Sequence, residues 1–434
     1  MTMTGGSEFG RRTFLKGSAA ALAAGAVGGR RAIAGAREGL PPIRAVTRGP
    51  KLHWFGYYDK LEFDPSGRKL LGMEVDFEHR SPEGEDTIAV GLVDLADGDR
   101  WVELGRTKAW CWQQGCMLQW LPGSKSEVIY NDRDGDRFVS HILNVETGSK
   151  RTLPAPIYAV SPDATWAVSP DFRRLHDLRP GYGYAGLPDP NASVARPDDA
   201  GIWKTNLRTG QTDLLLSFRQ VAELPYDGLV LKGATPPESA YHWFNHLLVA
   251  PDGQRFVFLH RWKGPADKSW LTRMMTCKPD GSDLFVINPS GMTSHFIWRD
   301  PSHILAFAHQ PSHGNRFYVF EDGTGKSEVV GPELMTVDGH CTYLPGHNNR
   351  WILNDTYPDK DRLQHVFLYD TQTNTRHELG AFESPKPYSG EWRVDTHPRF
   401  SPDGRLVVID SPHGGNGRQL YVIDVNGITG SAAG

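Results

Sequence analysis

Cysteine is scarce: Cys111, Cys116, Cys277 and Cys341 are the only four in 434 residues. That number excludes a disulfide-built scaffold. Cys111 and Cys116 lie close enough in sequence to pair, and their separation does not match a zinc-site spacing. Long apolar runs are absent as well, which excludes stable membrane insertion through helices. Charge of one sign is lacking, with a formal net charge of −4 and no lysine-rich tail or basic stripe. A nucleic-acid partner is therefore not expected. No dinucleotide fingerprint, phosphate loop, serine-hydrolase elbow or His-Glu-x-x-His pair occurs, so no organic cofactor is expected.

What is abundant is turn chemistry and aromatic surface. The chain holds 47 glycines, 31 prolines, 13 tryptophans, 14 tyrosines and 19 phenylalanines. That mixture favours strands joined by many turns over a helical bundle. At the N-terminus, Gly10-Arg11-Arg12-Thr13-Phe14-Leu15-Lys16 precedes an Ala/Gly stretch from Ser18 to Gly29, and Ala32-Ile33-Ala34 offers a cleavage site. This pattern predicts a twin-arginine export signal over residues 1–34 and a periplasmic or extracellular location. Removing 1–34 takes away five basic residues and Glu8, leaving a net charge of −8.

A strand–turn–strand unit recurs through the rest of the chain. Its clearest copies centre on Pro251-Asp252-Gly253 and Pro402-Asp403-Gly404, and looser copies on Pro65-Ser66-Gly67, Pro122-Gly123, Pro162-Asp163, Asp300-Pro301 and Pro345-Gly346. Seven units of about 57 residues each suit four-stranded blades. The expected fold is an all-β, seven-bladed β-propeller over 50–426, after a linker at 35–49 and before a C-terminal tail at 427–434. A Pro/Gly-rich insertion at 173–200 reads as a long surface loop beside the site.

The repeat places polar residues in a common register. His246, His340 and His397 each lie five residues before the turn proline, and His295 lies six before Pro301. Four inner strands thus bring a histidine to nearly the same height on the central axis. Neutral imidazoles converging in this way suit a divalent metal, or an anion site with acid–base groups. Two blade openings share His-Trp-Phe: His53-Trp54-Phe55, followed by Tyr57-Tyr58-Asp59, and His242-Trp243-Phe244. Trp54, Tyr58, Trp243 and Trp392 offer rings on which a sugar face can stack. Arg299, Arg362, Arg393 and Arg399 offer forks for a carboxylate, and Arg393 is the strongest single choice.

The segments Asp338-Gly339-His340-Cys341-Thr342-Tyr343, Asn354-Asp355-Thr356-Tyr357-Pro358-Asp359 and Asp395-Thr396-His397-Pro398 through Gly404 look like those of the oligogalacturonate lyase-related propellers. More loosely, the chain resembles propeller lyases acting on rhamnosyl–glucuronate or ulvan linkages. The resemblance runs through most of 50–426. It implies cleavage of a bond to a uronic acid by β-elimination in an oligo- or polysaccharide, leaving an unsaturated uronate end. It implies a divalent metal, manganese or calcium rather than zinc, on His295, His340 and His397, with His246 as a secondary candidate. The glutamine ligand of the family has no clear counterpart, Gln310 and Gln364 being candidates. The second group of lyases implies catalysis by His53, Tyr57 and His242, with His242 as base, His53 or Tyr57 as acid, and Arg393 neutralising the carboxylate. Glycoside hydrolysis on uronate-containing or rhamnose-capped glycans, and carbohydrate binding without turnover, are the alternatives. A monomer or small homo-oligomer is expected.

Overall fold

The seven Pro/Gly turns each join an innermost strand to the next strand outward, so the repeat read along the chain is the repeat of the sheets. The computed structural model describes residues 39–228 and 235–430. Seven four-stranded antiparallel sheets follow one another in chain order. Blade I runs outward from Leu52–Trp54, blade II from Gln119–Trp120 and blade III from Ala159–Val160. Blades IV to VI begin at Tyr241–Val249, Thr293–Asp300 and Thr342–Tyr343.

Blade VII uses both ends of the chain. Its inner strands are Arg399–Phe400, Leu406–Ser411 and Gln419–Asp424, and its outermost is Ile43–Ala45. The pairs Ile43↔Ile423, Arg44↔Val422 and Ala45↔Tyr421 close the ring. The segment expected as a linker at 35–49 therefore contributes a strand, and the propeller starts before residue 50. A short helix, Asn426–Thr429, follows the last strand. The expected export signal lies outside the described residues. Among the described residues no helix is long and apolar enough to cross a membrane, and all four cysteines are free and buried.

Burial explains the strand compositions. In blade I the middle strands Lys69–Val75 and Ile88–Asp94 are nearly all apolar, because neighbouring blades cover both faces. The outer strand Arg100–Thr107 alternates with polar residues and is half exposed. In the turns, side chains hold the backbone: the Ser161 hydroxyl accepts from the Thr165 and Trp166 amides, and Ser401 does the same for Leu406. Gly253 and Gly404 complete such turns at φ 72 and 70, where a side chain would be strained.

The insertion after blade III's second strand is packed, not a loose loop. It starts with the helix Phe172–Leu178, capped by Asp171. Phe172 stacks on Tyr184 at 4.1 Å. Buried Arg174 pairs with Asp189 at 3.2 Å and donates to the carbonyls of His242, Asn191, Val194 and Ala195. These bonds fasten the insertion to blade IV, and the helix end delivers Arg179 and Tyr182 to the channel.

Candidate active site at the channel mouth

The four register histidines meet. Ring centroids are 6.4 Å apart for His246–His295, 4.1 Å for His295–His340 and 4.3 Å for His340–His397. Two of them reach the channel by unusual backbone: His246 has φ 53 and His397 φ 40. His246 sits at a bulge, where the register shifts between Asn245 and Leu248. Left-handed backbone at a non-glycine residue costs roughly 1–3 kcal/mol, and here it turns the imidazoles toward the axis. Gly56 shows the same crowding; a Cβ there would lie 2.9 Å from the backbone of Gln114.

Each imidazole has its own anchor. His340 Nδ1 bonds both oxygens of Asp355 at 3.0 Å, and Thr396 also donates to Asp355. His295 Nδ1 is 3.0 Å from Asp338. His340 Nε2, His397 Nε2 and Asp395 Oδ1 are buried and have no partner among the described residues. His340, Asp395 and His397 offer ligating atoms within 4.8 Å of one another. Buried polar atoms are rarely left unpaired, and two imidazole nitrogens with a carboxylate are a fitting donor set for a divalent cation. Burial, His340 and two arginines keep His397 well below its usual range, so it is neutral and able to ligate.

Tyr57 and Tyr58 fill the centre. The Tyr58 hydroxyl donates to the Phe296 carbonyl at 2.8 Å and accepts the Phe296 amide at 2.9 Å. Its proton being used, the contact to His246 Nε2 at 3.2 Å requires the proton on that nitrogen. Asp59 lies 3.5 Å from the same nitrogen. His246 Nδ1 is then the acceptor for the Tyr57 hydroxyl, 3.3 Å away. Burial, above all, holds His246 down to about 3 and pushes Tyr57 well above 10. Burial would raise Asp59, but Lys60 at 2.9 Å and His246 outweigh it and hold it at about 2.

Arg393 borders the metal-capable group. Its Nε bonds Asp395 at 2.8 Å, and a terminal nitrogen donates to the Tyr182 hydroxyl at 2.8 Å. Its guanidinium is 5.9 Å from both the Tyr182 and Tyr357 rings.

The remaining predicted residues lie elsewhere. His53 is bonded at both ring nitrogens, to Gln419 at 3.0 Å and Glu74 at 3.2 Å, between blades VII and I. His242 is likewise bonded at both, to His260 at 2.8 Å and the Pro237 carbonyl at 2.7 Å. Neither touches the histidine group, which corrects their expected roles as acid and base. In an extended strand His242 is about 13 Å from His246, four residues on. Trp54 and Trp243 are each 1% exposed, so neither presents a face to a sugar. Trp54 packs on Trp110 and Trp112, and Trp243 lies edge-on against Trp270.

Arg299 pairs with Asp300 beside the turn, at the far end of His295's strand. Arg362 donates to the Ser384 and Tyr388 carbonyls, and Trp392 to that of Pro387. Arg399 is buried against Glu62 and Asp410. Gln310 is bonded to Asn288, and Gln364 pairs opposite Phe382 inside blade VI.

Residues outside the sequence reading stand at the mouth: Asp395, Arg179, Tyr182, Arg261 and Trp270. Asp395 carried a signal, two positions before His397 within the quoted motif. The others come from the insertion and from blade IV's second strand and the loop after it, where no register marks them.

No protein-family model matches the chain, and no curated protein matches it. Among solved structures, an oligogalacturonate lyase from Vibrio parahaemolyticus aligns with a TM-score of 0.60 and 15% identity, over 88% of this chain and 93% of that one. An oligogalacturonate lyase in complex with manganese aligns with the same score, identity and coverage. The chain shares their fold. At this identity the likeness establishes the seven-bladed propeller, and chemistry must be argued from the residues.

Proposed function

We propose that the protein is a lyase that cleaves a glycosidic bond to a uronic acid by β-elimination. The observation that carries this reading is the grouping of unpartnered His340 Nε2, His397 Nε2 and Asp395 Oδ1 beside the Arg393 guanidinium. Elimination needs positive charge on the substrate carboxylate, which acidifies the adjacent C5 proton, and a group to carry that proton. His340, Asp395 and His397 would hold a divalent cation, manganese as in the complexed lyase of the same fold, which would supply positive charge for that carboxylate.

Arg393, oriented by Asp395 and Tyr182, grips the same carboxylate as a fork. The Tyr57 hydroxyl takes the C5 proton while passing its own to His246 Nδ1, and Asp59 stabilises the imidazolium. Tyr57 then gives its new proton to the leaving O4, and His246 returns the other. This relay replaces a free tyrosinate, which burial disfavours, by an imidazolium whose own burial cost Asp59 partly offsets. The twin-arginine pattern supports action outside the cytoplasm.

The test is ultraviolet absorbance of the unsaturated uronate end, with metal-loaded protein and a panel of uronate saccharides. An absorbing product is expected. Saturated products would indicate a hydrolase, and binding without products a carbohydrate-binding module.

A further inference from the structure

His340 and His397 enter the channel from neighbouring blades, and one buried carboxylate reaches both arms. Asp355 follows the second strand of blade VI, Trp351–Asn354. It accepts the His340 amide at 2.7 Å and His340 Nδ1 at 3.0 Å. It also accepts the hydroxyl of Thr396, which stands between Asp395 and His397 at the entrance to blade VII. Asp355 and Thr396 are both buried. A carboxylate only accepts, so His340 Nδ1 carries a proton and Nε2 is the nitrogen left to ligate.

The arm of blade VII needs an outside hold. His397 keeps left-handed backbone at φ 40, and such strain persists only where the surroundings over-determine it. Asp410 lies 3.8 Å from His397 Nδ1, beyond hydrogen-bond reach, so it does not fix this ring as Asp355 fixes that of His340. Thr396 is instead gripped on two sides, its hydroxyl by Asp355 and its carbonyl by the Asp410 amide at 3.0 Å. Gly339 lets the blade VI segments close up around this contact. A Cβ there would lie 1.9 Å from the Asp355 carbonyl oxygen.

We propose that Asp355 is a positioning residue which, through His340 Nδ1 and the Thr396 hydroxyl, sets the spacing of two imidazoles from different blades. Neither Asp355 nor Thr396 belongs to the ligating group, yet the bond between them governs how tightly that group holds a cation. The inference rests on the metal site of the lyase reading, but it is read by metal binding and not by turnover.

Calorimetry on the chelator-stripped protein, titrated with manganese(II) alone, measures that affinity. Thr396→Val, nearly isosteric and leaving both His340 bonds in place, should weaken binding about 10-fold, and Asp355→Asn about 10- to 100-fold. Thr396→Ser, which keeps the hydroxyl, should bind as the natural protein does. The metal-free melting temperature of the two Thr396 variants should stay at the natural value. Unchanged affinity in Thr396→Val, or equal losses in Thr396→Val and Thr396→Ser, would overturn the proposal. A natural protein that binds no manganese overturns it together with the metal site. Weakened binding in Thr396→Val of a protein that releases no unsaturated end retains this inference and loses the lyase reading. Cleavage by a protein whose affinity the substitution leaves unmoved does the reverse.

Discussion

Two groups of buried histidines stand in this propeller, and they differ in whether their nitrogens are satisfied. In blade IV a directed chain leaves nothing over. Arg273 Nε donates to His260 Nδ1 at 2.9 Å, so His260 Nε2 carries the proton given to His242 Nδ1, and His242 Nε2 donates to Pro237. In the channel, His340 and His397 keep an Nε2 with no partner among the described residues, next to an Asp395 oxygen in the same state. Residue type and burial are the same in both groups. A saturated network rigidifies, whereas an open one can ligate or react.

The contrast would break most visibly at the channel. His397→Ala should lower turnover by about 10³-fold and abolish stoichiometric metal, measured by product absorbance and elemental analysis, with circular dichroism unchanged. Tyr57→Phe should lower turnover by about 10²-fold while metal content stays intact. If Tyr57→Phe keeps full activity, the proton relay is wrong.

The blade IV group should respond in stability. His242→Ala leaves a cavity and an unpaired His260, and should cost about 2–4 kcal/mol in denaturant unfolding. Activity per folded molecule should be retained. Burial holds His242 at about 4, below its unfolded value of 6.5. Its contribution is therefore full above pH 6.5 and is lost as pH falls toward 4, by roughly 3 kcal/mol. Unfolding measured across that range should show a shallower decline in His242→Ala than in the natural protein. The smallest effect is expected for His53→Gln, about 1 kcal/mol of stability and little change in turnover, because His53 only bridges Gln419 and Glu74.

Much of the fold was legible because its determinants are local. A proline with a nearby glycine or aspartate favours a turn, and the seven turns of the repeat join first and second strands, whereas Pro279-Asp280-Gly281, of the same composition, joins the third and fourth strands of blade IV. The histidine register was legible for the same reason: counting back from a turn proline fixes height along an inner strand. His246, His295, His340 and His397 accordingly converge. The closing strand Ile43–Ala45 was hidden, since its partner lies about 380 residues away.

The limits show at His53 and His242. Both stand in a His-Trp-Phe segment that also suits a sugar site, yet both are tied off by partners from other strands. Arg179, Arg261 and Trp270 show the converse. Nothing near them in the chain distinguishes them from other arginines and tryptophans, and their meeting is made by an insertion folding onto blade IV.

The sequence by itself determined the number of blades, their turns, and which histidines share a level. These follow from backbone preference and strand periodicity, which act over a few residues. Only the tertiary structure decided which nitrogens remain open, which carboxylate joins them, and which carboxylate spans two blades. Those depend on who else arrives at the same place, and hydrogen-bond satisfaction is a property of neighbours in space.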